Sequence, residues 1–351
     1  MSADARTAGV VTELAGLTAE WVSAALGRRV DSVSSSQVGT GQIGTCYRLT
    51  LTGDDVPDSV LVKLPAADQG SRDLLAGAYR GELVFYADIA PTVAVRVPTC
   101  HYAAITPDSG DFTLVMEDLA PARQGDQIAG CTVDQARDAV VNLAGLHGPR
   151  WCDPSLEDLD NLARQGPDDV ALLAELAGPT TELFIDGLGD LISPEDRVTL
   201  RECAEVVGPW SLARHERYAL VHGDYRLDNL MFAPDGTPDS VALDWQTLSL
   251  GLPARDLAYF IGTSLDPDVR RAHERDLVAA YHGALTSYGV SGHDLEECWE
   301  DYRFAMVQGP LVATFGCAYG TRSERGDQMF ATMVARTCAA IRDLDTLSLV
   351  P

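Results

Sequence analysis

An aspartate, an asparagine and a second aspartate follow one another at fixed spacing between residues 221 and 246. The segment reads Val-His-Gly-Asp-Tyr-Arg-Leu-Asp-Asn-Leu-Met-Phe, then a turn, then Val-Ala-Leu-Asp-Trp-Gln. Asn229 lies five residues after Asp224, and Asp244 follows fifteen residues later, at the end of an apolar run typical of a strand. Phosphoryl transfer from a nucleotide uses such a set, because one carboxylate orients the acceptor hydroxyl while an amide oxygen and a second carboxylate hold Mg²⁺. The spacing therefore predicts a phosphotransfer site.

A purely structural role for these residues remains an alternative. His222 could be a hydrogen-bonded core histidine, and Asp224 and Asp228 could belong to turns. Asp235-Gly236 in the following loop is typical of an ordinary turn. The rest of the chain tests the two interpretations, because a phosphotransfer motif requires a defined context.

The His-Gly-Asp opening and the Asp-x-x-x-x-Asn spacing resemble the aminoglycoside phosphotransferase and choline kinase branch of the kinase-like proteins. Residues 143–147 match that family's Leu-Ala-x-Leu-His, and residues 251–260 match its Gly-x-x-x-x-Asp-Leu-Ala segment. The sequence of residues 222–229 and 244–246 resembles that of ecdysteroid kinase-like relatives more than that of the classical resistance enzymes. The resemblance covers about residues 35–265 and implies an α+β, two-lobed protein-kinase-like fold, with a small antiparallel-sheet N-lobe and a mainly helical C-lobe.

The resemblance also implies roles for individual residues. Asp224 would be the catalytic residue, and Asn229 and Asp244 would ligate Mg²⁺. His222 and Asp256 would support the loop from behind, with Asp256 as its brace. The implied cofactors are ATP, with GTP left open, and Mg²⁺.

Three glycines form the first upstream element. Gly39, Gly41 and Gly44 precede an alternating strand pattern over residues 45–51. Glycine lets backbone N–H groups approach phosphate oxygens closely. A single Gly-x-Gly-x-x-Gly is a weak signal, and it gains weight here from its position ahead of the next two elements.

A lysine and a glutamate form the second upstream element. Lys63 interrupts the apolar run over residues 59–65, and an ammonium buried without a partner is costly. Glu82 lies nineteen residues later, in a segment over 70–89 with a helical apolar pattern. We therefore expect an ion pair between them. An edge-strand lysine that opposes aggregation, or a solvated helix glutamate, are the structural alternatives.

The apolar strand over residues 112–116 is followed by acids, where a kinase-like fold places its hinge. By that resemblance, backbone groups from Glu117 to Leu119 would bind adenine. The side chains of Glu117 and Asp118 could equally belong to a turn, and no chemistry is assigned to them. Neither Asp-Phe-Gly nor Ala-Pro-Glu occurs downstream, so an activation loop and a protein substrate are not expected.

Length and composition agree with a two-lobed enzyme. The chain has 351 residues, of which 46% are hydrophobic. We expect residues 1–119 to form a nucleotide-binding N-lobe with a leading helix over 10–27, and residues 120–351 to form the C-lobe with the acceptor pocket. No apolar run is long enough for a membrane span, and no signal peptide is recognisable, so a cytoplasmic location is expected. The eight cysteines form no Cys-x-x-Cys pair, which argues against zinc and a disulfide framework.

The net charge of −26 argues against nucleic acid as a partner, since phosphate neutralisation requires clustered lysine and arginine. It would suit a cationic acceptor, such as an aminoglycoside, if the acids over residues 293–301 line a pocket. The same acids could instead form the first turn of a surface helix, and that interpretation is favoured. The oligomeric state is not predicted.

Two functional hypotheses follow from these features. The first is a small-molecule kinase that phosphorylates a hydroxyl group, with a cationic antibiotic as the alternative acceptor. The second is a non-catalytic pseudokinase that binds a nucleotide as a regulatory module. The presence of Lys63, Asp224, Asn229 and Asp244 argues against the second hypothesis.

Overall fold

The computed structural model describes residues 8–38, 44–106, 109–159, 162 and 164–351. The chain divides into two compact units. Unit 1 comprises Met1–Pro91, Val97–Pro121 and Asp244–Thr247, and unit 2 comprises Thr92–Arg96, Ala122–Leu243 and Leu248–Pro351. Residues 92–96 belong to unit 2 and residues 244–247 belong to unit 1, so a short segment of each unit interrupts the other along the chain.

An antiparallel sheet forms the centre of unit 1. In the described residues its strands are β1 (Ser32–Val38), β2 (Gly44–Thr52), β3 (Ser59–Pro65), β4 (Cys100–Ile105) and β5 (Phe112–Glu117), in the order β1-β2-β3-β5-β4. The serine-rich β1 lies at an exposed edge, whereas β3 and β5 are central and largely buried. The apolar runs in β3 and β5 reflect burial on both faces of the sheet, because successive side chains point to opposite faces and those on either face are then buried.

The leading helix is shorter than the predicted span 10–27. Helix α1 covers Ala19–Leu26, and residues Leu14–Gly16 form only a 3₁₀ turn. Thr18 caps α1 by accepting a hydrogen bond from the Trp21 N–H, and Gly27 ends it with a φ of 63°. The prediction overran because the apolar periodicity continues upstream of Thr18, while the capping hydroxyl fixes where the helix begins.

A long helix follows β3 in unit 1. Helix α2 covers Gln69–Val84 and continues into a π-helical turn over Phe85–Ile89. The predicted helical segment over 70–89 is therefore present, with a wider last turn. The π turn contains Phe85, Tyr86 and Ile89, all of which are buried.

Unit 2 is mainly helical. In the described residues its helices are α3 (Val133–His147), α4 (Pro167–Leu188), α5 (Pro194–Leu212), α6 (Ala254–Ser264), α7 (Pro267–Ser287), α8 (Leu295–Phe304), α9 (Gln308–Tyr319) and α10 (Glu324–Asp343). Its short strands are β6 (Arg123–Gln124), β7 (Ala219–Val221), β8 (Leu230–Phe232), β9 (Val241–Ala242) and β10 (Ser249–Gly251). Strand β7 pairs with β10, and β8 lies between β6 and β9. These short ladders hold the loop over residues 222–229 at both of its ends.

The helices of unit 2 pack through apolar faces. Phe184, Leu200, Ala313 and Val334, from α4, α5, α9 and α10, belong to one buried cluster. No disulfide links the eight cysteines, all of which lie among the described residues. Within those residues, no helix combines the length and apolar character needed to cross a bilayer.

Candidate active site

Lys63 forms the ion pair that the sequence predicts. In unit 1 its Nζ lies 2.7 Å from Oε2 of Glu82 and 3.6 Å from Oδ1 of Asp244. Both partners of the shorter pair are buried, with Lys63 9% and Glu82 2% exposed. Burial alone would lower the pKa of Lys63, but the two carboxylates raise it above its ordinary value. The contact is therefore present, and the lysine stays charged; its role towards phosphates remains a prediction.

The backbone of Asp244 adopts a conformation that few non-glycine residues use. Its φ is 64°, in the left-handed region. The next residue, Trp245, is fully buried and stacks on Phe85 with ring centroids 3.6 Å apart and planes 5° from parallel. Gln246 reaches Oε2 of Glu82 at 3.4 Å. The aromatic stack anchors this segment of unit 1, so the unusual backbone of Asp244 is held by packing, a pattern found at functional sites.

Asp256 holds the start of the loop in unit 2. It is 1% exposed, and its carboxylate accepts hydrogen bonds from the backbone N–H groups of His222 (2.6 Å) and Gly223 (2.9 Å). His147 lies behind it, with Nε2 3.3 Å from Oδ2 of Asp256 and Nδ1 2.6 Å from the Tyr281 hydroxyl. Gly223 has a φ of 81°, which favours glycine. These contacts agree with a bracing role for Asp256 and a packing role for His147.

The carboxylate of Asp224 is held by three side chains. Tyr259 donates to Oδ1 at 2.8 Å, and Nε of Arg226 lies 3.0 Å from both oxygens. The amide nitrogen of Asn229 donates to Oδ2 and to the backbone carbonyl of Asp224, each at 2.9 Å. A 3₁₀ turn over Leu227–Asn229 brings the amide back over the loop. Asp224 and Asn229 are thus neighbours in space, and the five-residue spacing is what the turn requires.

An arginine pair accompanies the loop and was not predicted from the sequence. Nη1 of Arg226 lies 3.0 Å from Oδ2 of Asp228, and Arg325 contacts both oxygens of Asp228 at 3.1 Å. Burial opposes charge on Arg226, yet Asp224 and Asp228 raise its pKa. Burial would raise the pKa of Asp228, but Arg325 and the Gln127 N–H lower it. Arg226 lies within the motif and could have been considered from the sequence. Arg325 lies 97 residues from Asp228, so no local sequence pattern predicts their contact.

The predicted glycines differ in what the structure describes. Gly39 and Gly41 lie outside the described residues. Gly44 opens β2, and a Cβ placed on it would lie 2.7 Å from the carbonyl oxygen of Leu64 on β3. A larger residue there would displace the strand next to Lys63, so the packing of unit 1 accounts for Gly44 without a phosphate.

The predicted hinge is partly occupied by other contacts. The N–H of Glu117 donates to the Thr99 carbonyl at 2.9 Å, and its side chain accepts from the Thr99 N–H and hydroxyl. Among the described residues, Leu119 makes no backbone hydrogen bond outside regular helices and strands. We therefore expect the backbone groups of Leu119, rather than the N–H of Glu117, to be available for hydrogen bonds to adenine.

The oxygen donors of the predicted metal ligands fit Mg²⁺, which prefers carboxylate and carbonyl oxygens. Oδ1 of Asp244 is buried and accepts no hydrogen bond from the residues that the structure describes. Asn229 uses its amide nitrogen towards Asp224, which leaves its amide oxygen free of donors within the described part of the chain. The described residues contain no cluster of three or more histidines, cysteines, aspartates or glutamates that could hold a metal. Any Mg²⁺ would therefore need further ligands, such as phosphate oxygens and water.

The acids over residues 293–301 have structural contacts. Asp294 caps α8 with Glu297 in a capping box, and Glu300 lies 2.7 Å from Arg303. Asp301 is 1% exposed and pairs with Arg214 and Arg217. The helix-start interpretation therefore accounts for this segment, and Asp301 is already neutralised.

Comparison with known proteins agrees with these features. Residues 199–289, which include the loop and Asp256, match the model of the ecdysteroid kinase-like family. The chain is 49% identical over 51 residues, 14% of its length, to acyl-CoA dehydrogenase family member 10 from Mus musculus. It is 46% identical over 41 residues, 12% of its length, to acyl-CoA dehydrogenase family member 11 from Homo sapiens. In each case the match spans only 5% of the relative's length.

Solved structures share the fold at low sequence identity. A choline kinase from Cryptosporidium parvum Iowa II is 9% identical with a TM-score of 0.60, over 91% of this chain and 92% of that one. The GDP complex of wild-type aminoglycoside 2'-phosphotransferase-IIIa is 16% identical with a TM-score of 0.51, over 88% and 94%. The family-model match and the shared fold confirm the resemblance predicted from the sequence. The predicted fold class, a two-lobed protein-kinase-like α+β fold, is also confirmed.

Proposed function

We propose that this chain, which has a kinase-like fold and matches the ecdysteroid kinase-like family model around its loop, is a small-molecule kinase. It would transfer the γ-phosphoryl group of a nucleoside triphosphate to an alcohol hydroxyl. ATP is the expected phosphoryl donor. GTP is the alternative donor, because a structural neighbour is a GDP complex. A small hydroxylated molecule is the expected acceptor, and neither nucleic acid nor a membrane is an expected partner.

The observation that carries this proposal is the arrangement around Asp224. A carboxylate that is only partly exposed is held by Tyr259, Arg226 and Asn229, on a loop whose backbone is tied to a buried aspartate. Holding a carboxylate in one orientation is what a reaction dominated by positioning requires. Asp224 would accept a hydrogen bond from the acceptor hydroxyl and take its proton as the oxygen attacks phosphorus.

The remaining residues would bind the donor. Lys63, kept charged by Glu82, would hold the α- and β-phosphates, and Gly39, Gly41 and Gly44 would form the phosphate loop. Mg²⁺ would neutralise the phosphate charge, and Asp244 and Asn229 would each supply one oxygen to it. A non-catalytic, nucleotide-binding pseudokinase is the rival of another class. It predicts nucleotide binding without turnover.

A panel of hydroxylated metabolites and antibiotics, assayed for ADP release, tests the proposal. With an accepted substrate, Asp224→Asn should reduce kcat by about 10²–10⁴-fold, the range for a positioned acid–base group. Nucleotide affinity should change little. Asp235→Asn is a matched control, because Asp235 is an exposed turn aspartate in the same unit. Release of ADP by Asp224→Asn at the parent's rate would remove Asp224 from this role. Nucleotide binding with no turnover on any acceptor would favour the pseudokinase.

A further inference from the structure

A cavity of about 170 Å³ in unit 2 has a strongly basic lining. Four arginines contribute to its wall, namely Arg164, Arg214, Arg217 and Arg255. The whole chain has only 26 lysines and arginines against 52 acids, so a wall with four arginines runs against the composition. The cavity lies beside β7 and β10 and beside the start of α6, and all of its lining residues belong to unit 2.

The carboxylates nearby do not neutralise all four arginines. Arg214 and Arg217 share the buried carboxylate of Asp301, and Arg217 also contacts the exposed Glu216. Arg164 pairs with Glu157. Arg255 has no carboxylate within salt-bridge distance among the described residues. One full positive charge at this wall therefore lacks a counter-charge.

Arg255 is held by uncharged groups. Its guanidinium lies 4.2 Å from the centroid of the Trp210 ring, and Nη2 donates to the Ser211 carbonyl at 3.3 Å. Burial lowers the pKa of Arg255 to about 10, against the opposing effect of Asp256. The carboxylate of Asp256 is itself directed to the N–H groups of His222 and Gly223. At neutral pH, Arg255 is thus a partly buried cation without an anionic partner among the described residues.

Three buried polar atoms on the lining residues have no hydrogen-bond partner within the part of the chain that the structure describes. They are Nε of Arg255, Nε of Arg164 and the hydroxyl of Ser211, whose residue is only 2% exposed. Buried donors without acceptors are rare, because each costs the free energy of its lost hydration. All three can donate a hydrogen bond, and all three residues line the same cavity. None of the three atoms has accessible surface in this structure, so a ligand rich in acceptor oxygens would satisfy them only once their side chains turn toward the cavity.

We infer that this cavity is a binding site for a small oxyanion, with the phosphate group of a small metabolite as its preferred ligand and a dicarboxylate as the alternative. Guanidinium groups bind phosphate through paired, charge-assisted hydrogen bonds, which suits a wall of four arginines. The volume admits a small anion and excludes a polymer. The inference is independent of the proposed phosphotransfer, because no residue assigned to donor or acceptor binding lines the cavity.

The test is calorimetric titration of the full-length chain with sodium phosphate and, separately, with sodium malonate, at ionic strength held constant with sodium chloride. We expect saturable binding at one site, with phosphate tighter than malonate. Arg255→Gln should weaken phosphate binding at least about tenfold, since it removes the unpaired charge and the unsatisfied Nε donor. Arg201→Gln is the matched control. It also removes one arginine charge, but from an exposed position on α5 where Arg201 pairs with Glu182, and this variant should bind phosphate as the parent does.

Ser211→Ala is a second variant that tests the same site if Arg255→Gln fails to fold. The Ser211 hydroxyl has no partner within the described chain, so its removal should leave the melting temperature unchanged or higher while phosphate affinity falls several-fold. Tighter binding of malonate would identify a carboxylate ligand. The inference is overturned if neither anion binds saturably, which would mean a cavity filled with water only. Equal affinity in the parent, Arg255→Gln and Ser211→Ala would also overturn it, because the anion would then bind elsewhere.

Discussion

Tyr259 donates its hydroxyl hydrogen to Oδ1 of Asp224 across 2.8 Å. The tyrosine is 1% exposed and projects from α6, the helix that also carries Asp256. One helix therefore holds the loop at two points, the backbone N–H of His222 and the carboxylate of Asp224. Burial and the nearby Asp224 raise the pKa of Tyr259 well above its ordinary value, so the hydroxyl remains a donor.

Tyr259→Phe should lower kcat by about tenfold, the equivalent of one hydrogen bond of roughly 1.4 kcal/mol, because Asp224 loses a donor that fixes its orientation. The ring remains, so the protein should fold. Tyr225→Phe is the matched control: Tyr225 is equally buried, and its hydroxyl donates to the Ala139 carbonyl at 2.8 Å rather than to Asp224. Steady-state kinetics with an accepted substrate provide the measurement. Equal kcat losses in both variants would assign Tyr259 a general structural role.

Lys63→Met should destabilise unit 1 strongly. It leaves Glu82 buried without its cation, and breaking a buried ion pair from one side typically costs about 3–5 kcal/mol. Thermal unfolding monitored by circular dichroism gives the midpoint. The double variant Lys63→Met/Glu82→Gln should regain part of the lost stability, because the unpaired charge is gone. Neither variant should bind nucleotide with the parent's affinity. No recovery in the double variant would contradict the coupling of the two side chains.

The sequence predicted those features that depend on local spacing. The contacts among Lys63 and Glu82, and among Asp224 and Asn229, follow from a strand, a helix and a 3₁₀ turn, each with a recognisable pattern. The kinase-like fold followed from the order of the motifs along the chain. Such patterns are readable because each motif must satisfy its own backbone geometry.

Features that depend on packing between distant segments were not predictable. Arg325 reaches Asp228, and Arg48 reaches Asp118, across 97 and 70 residues with no periodic signal. The start of α1 was missed because a capping hydroxyl, rather than apolar periodicity, sets it. The left-handed backbone of Asp244 depends on the stack of Trp245 on Phe85, which appears only once the chain is folded.

Acid should destabilise the protein partly through Asp118. Burial would raise the pKa of this carboxyl, but hydrogen bonds from Arg48 (2.6 Å) and Ser59 (2.6 Å) lower it below its ordinary value. A folded-state pKa below the unfolded value of about 3.9 stabilises the protein above that pH, and the contribution is lost as the pH falls through the folded-state value. Asp118→Asn should therefore cost about 1–3 kcal/mol at pH 7 and progressively less below pH 4.

Urea unfolding at pH 7, 5, 4 and 3 measures this difference for unit 1. Asp58→Asn serves as a control, because Asp58 is an exposed loop aspartate whose side chain makes no ion pair or hydrogen bond within the described residues. A cost for Asp118→Asn that does not change between pH 7 and pH 3 would contradict the assigned pKa shift.

The charge of the acceptor can be tested at the start of α8. If the acids at the start of α8 line the acceptor pocket, Glu296, Glu297 and Glu300 would have to face the acceptor, because Asp301 is buried against Arg214 and Arg217. Glu297 caps the helix and Glu300 lies against Arg303, so both already have partners. We therefore expect a neutral or amphipathic alcohol, such as a sugar or a sterol-like alcohol. The triple variant Glu296→Gln/Glu297→Gln/Glu300→Gln should leave the acceptor KM within about twofold of the parent's, since removal of distant, screened charges has little effect on binding.

The salt dependence of KM separates the two acceptor classes independently of the variant. For a neutral acceptor, KM should stay nearly constant between 50 mM and about 500 mM sodium chloride, because no charge on the acceptor is screened. A polycationic acceptor steered by these acids would show a KM that rises steeply over the same range, and the triple variant would abolish that rise. Asp301 is left intact in the variant because its loss would remove the carboxylate that Arg214 and Arg217 share and disturb the basic cavity as well. A steep, variant-sensitive rise in KM would therefore establish a cationic acceptor and overturn the expectation of a neutral one.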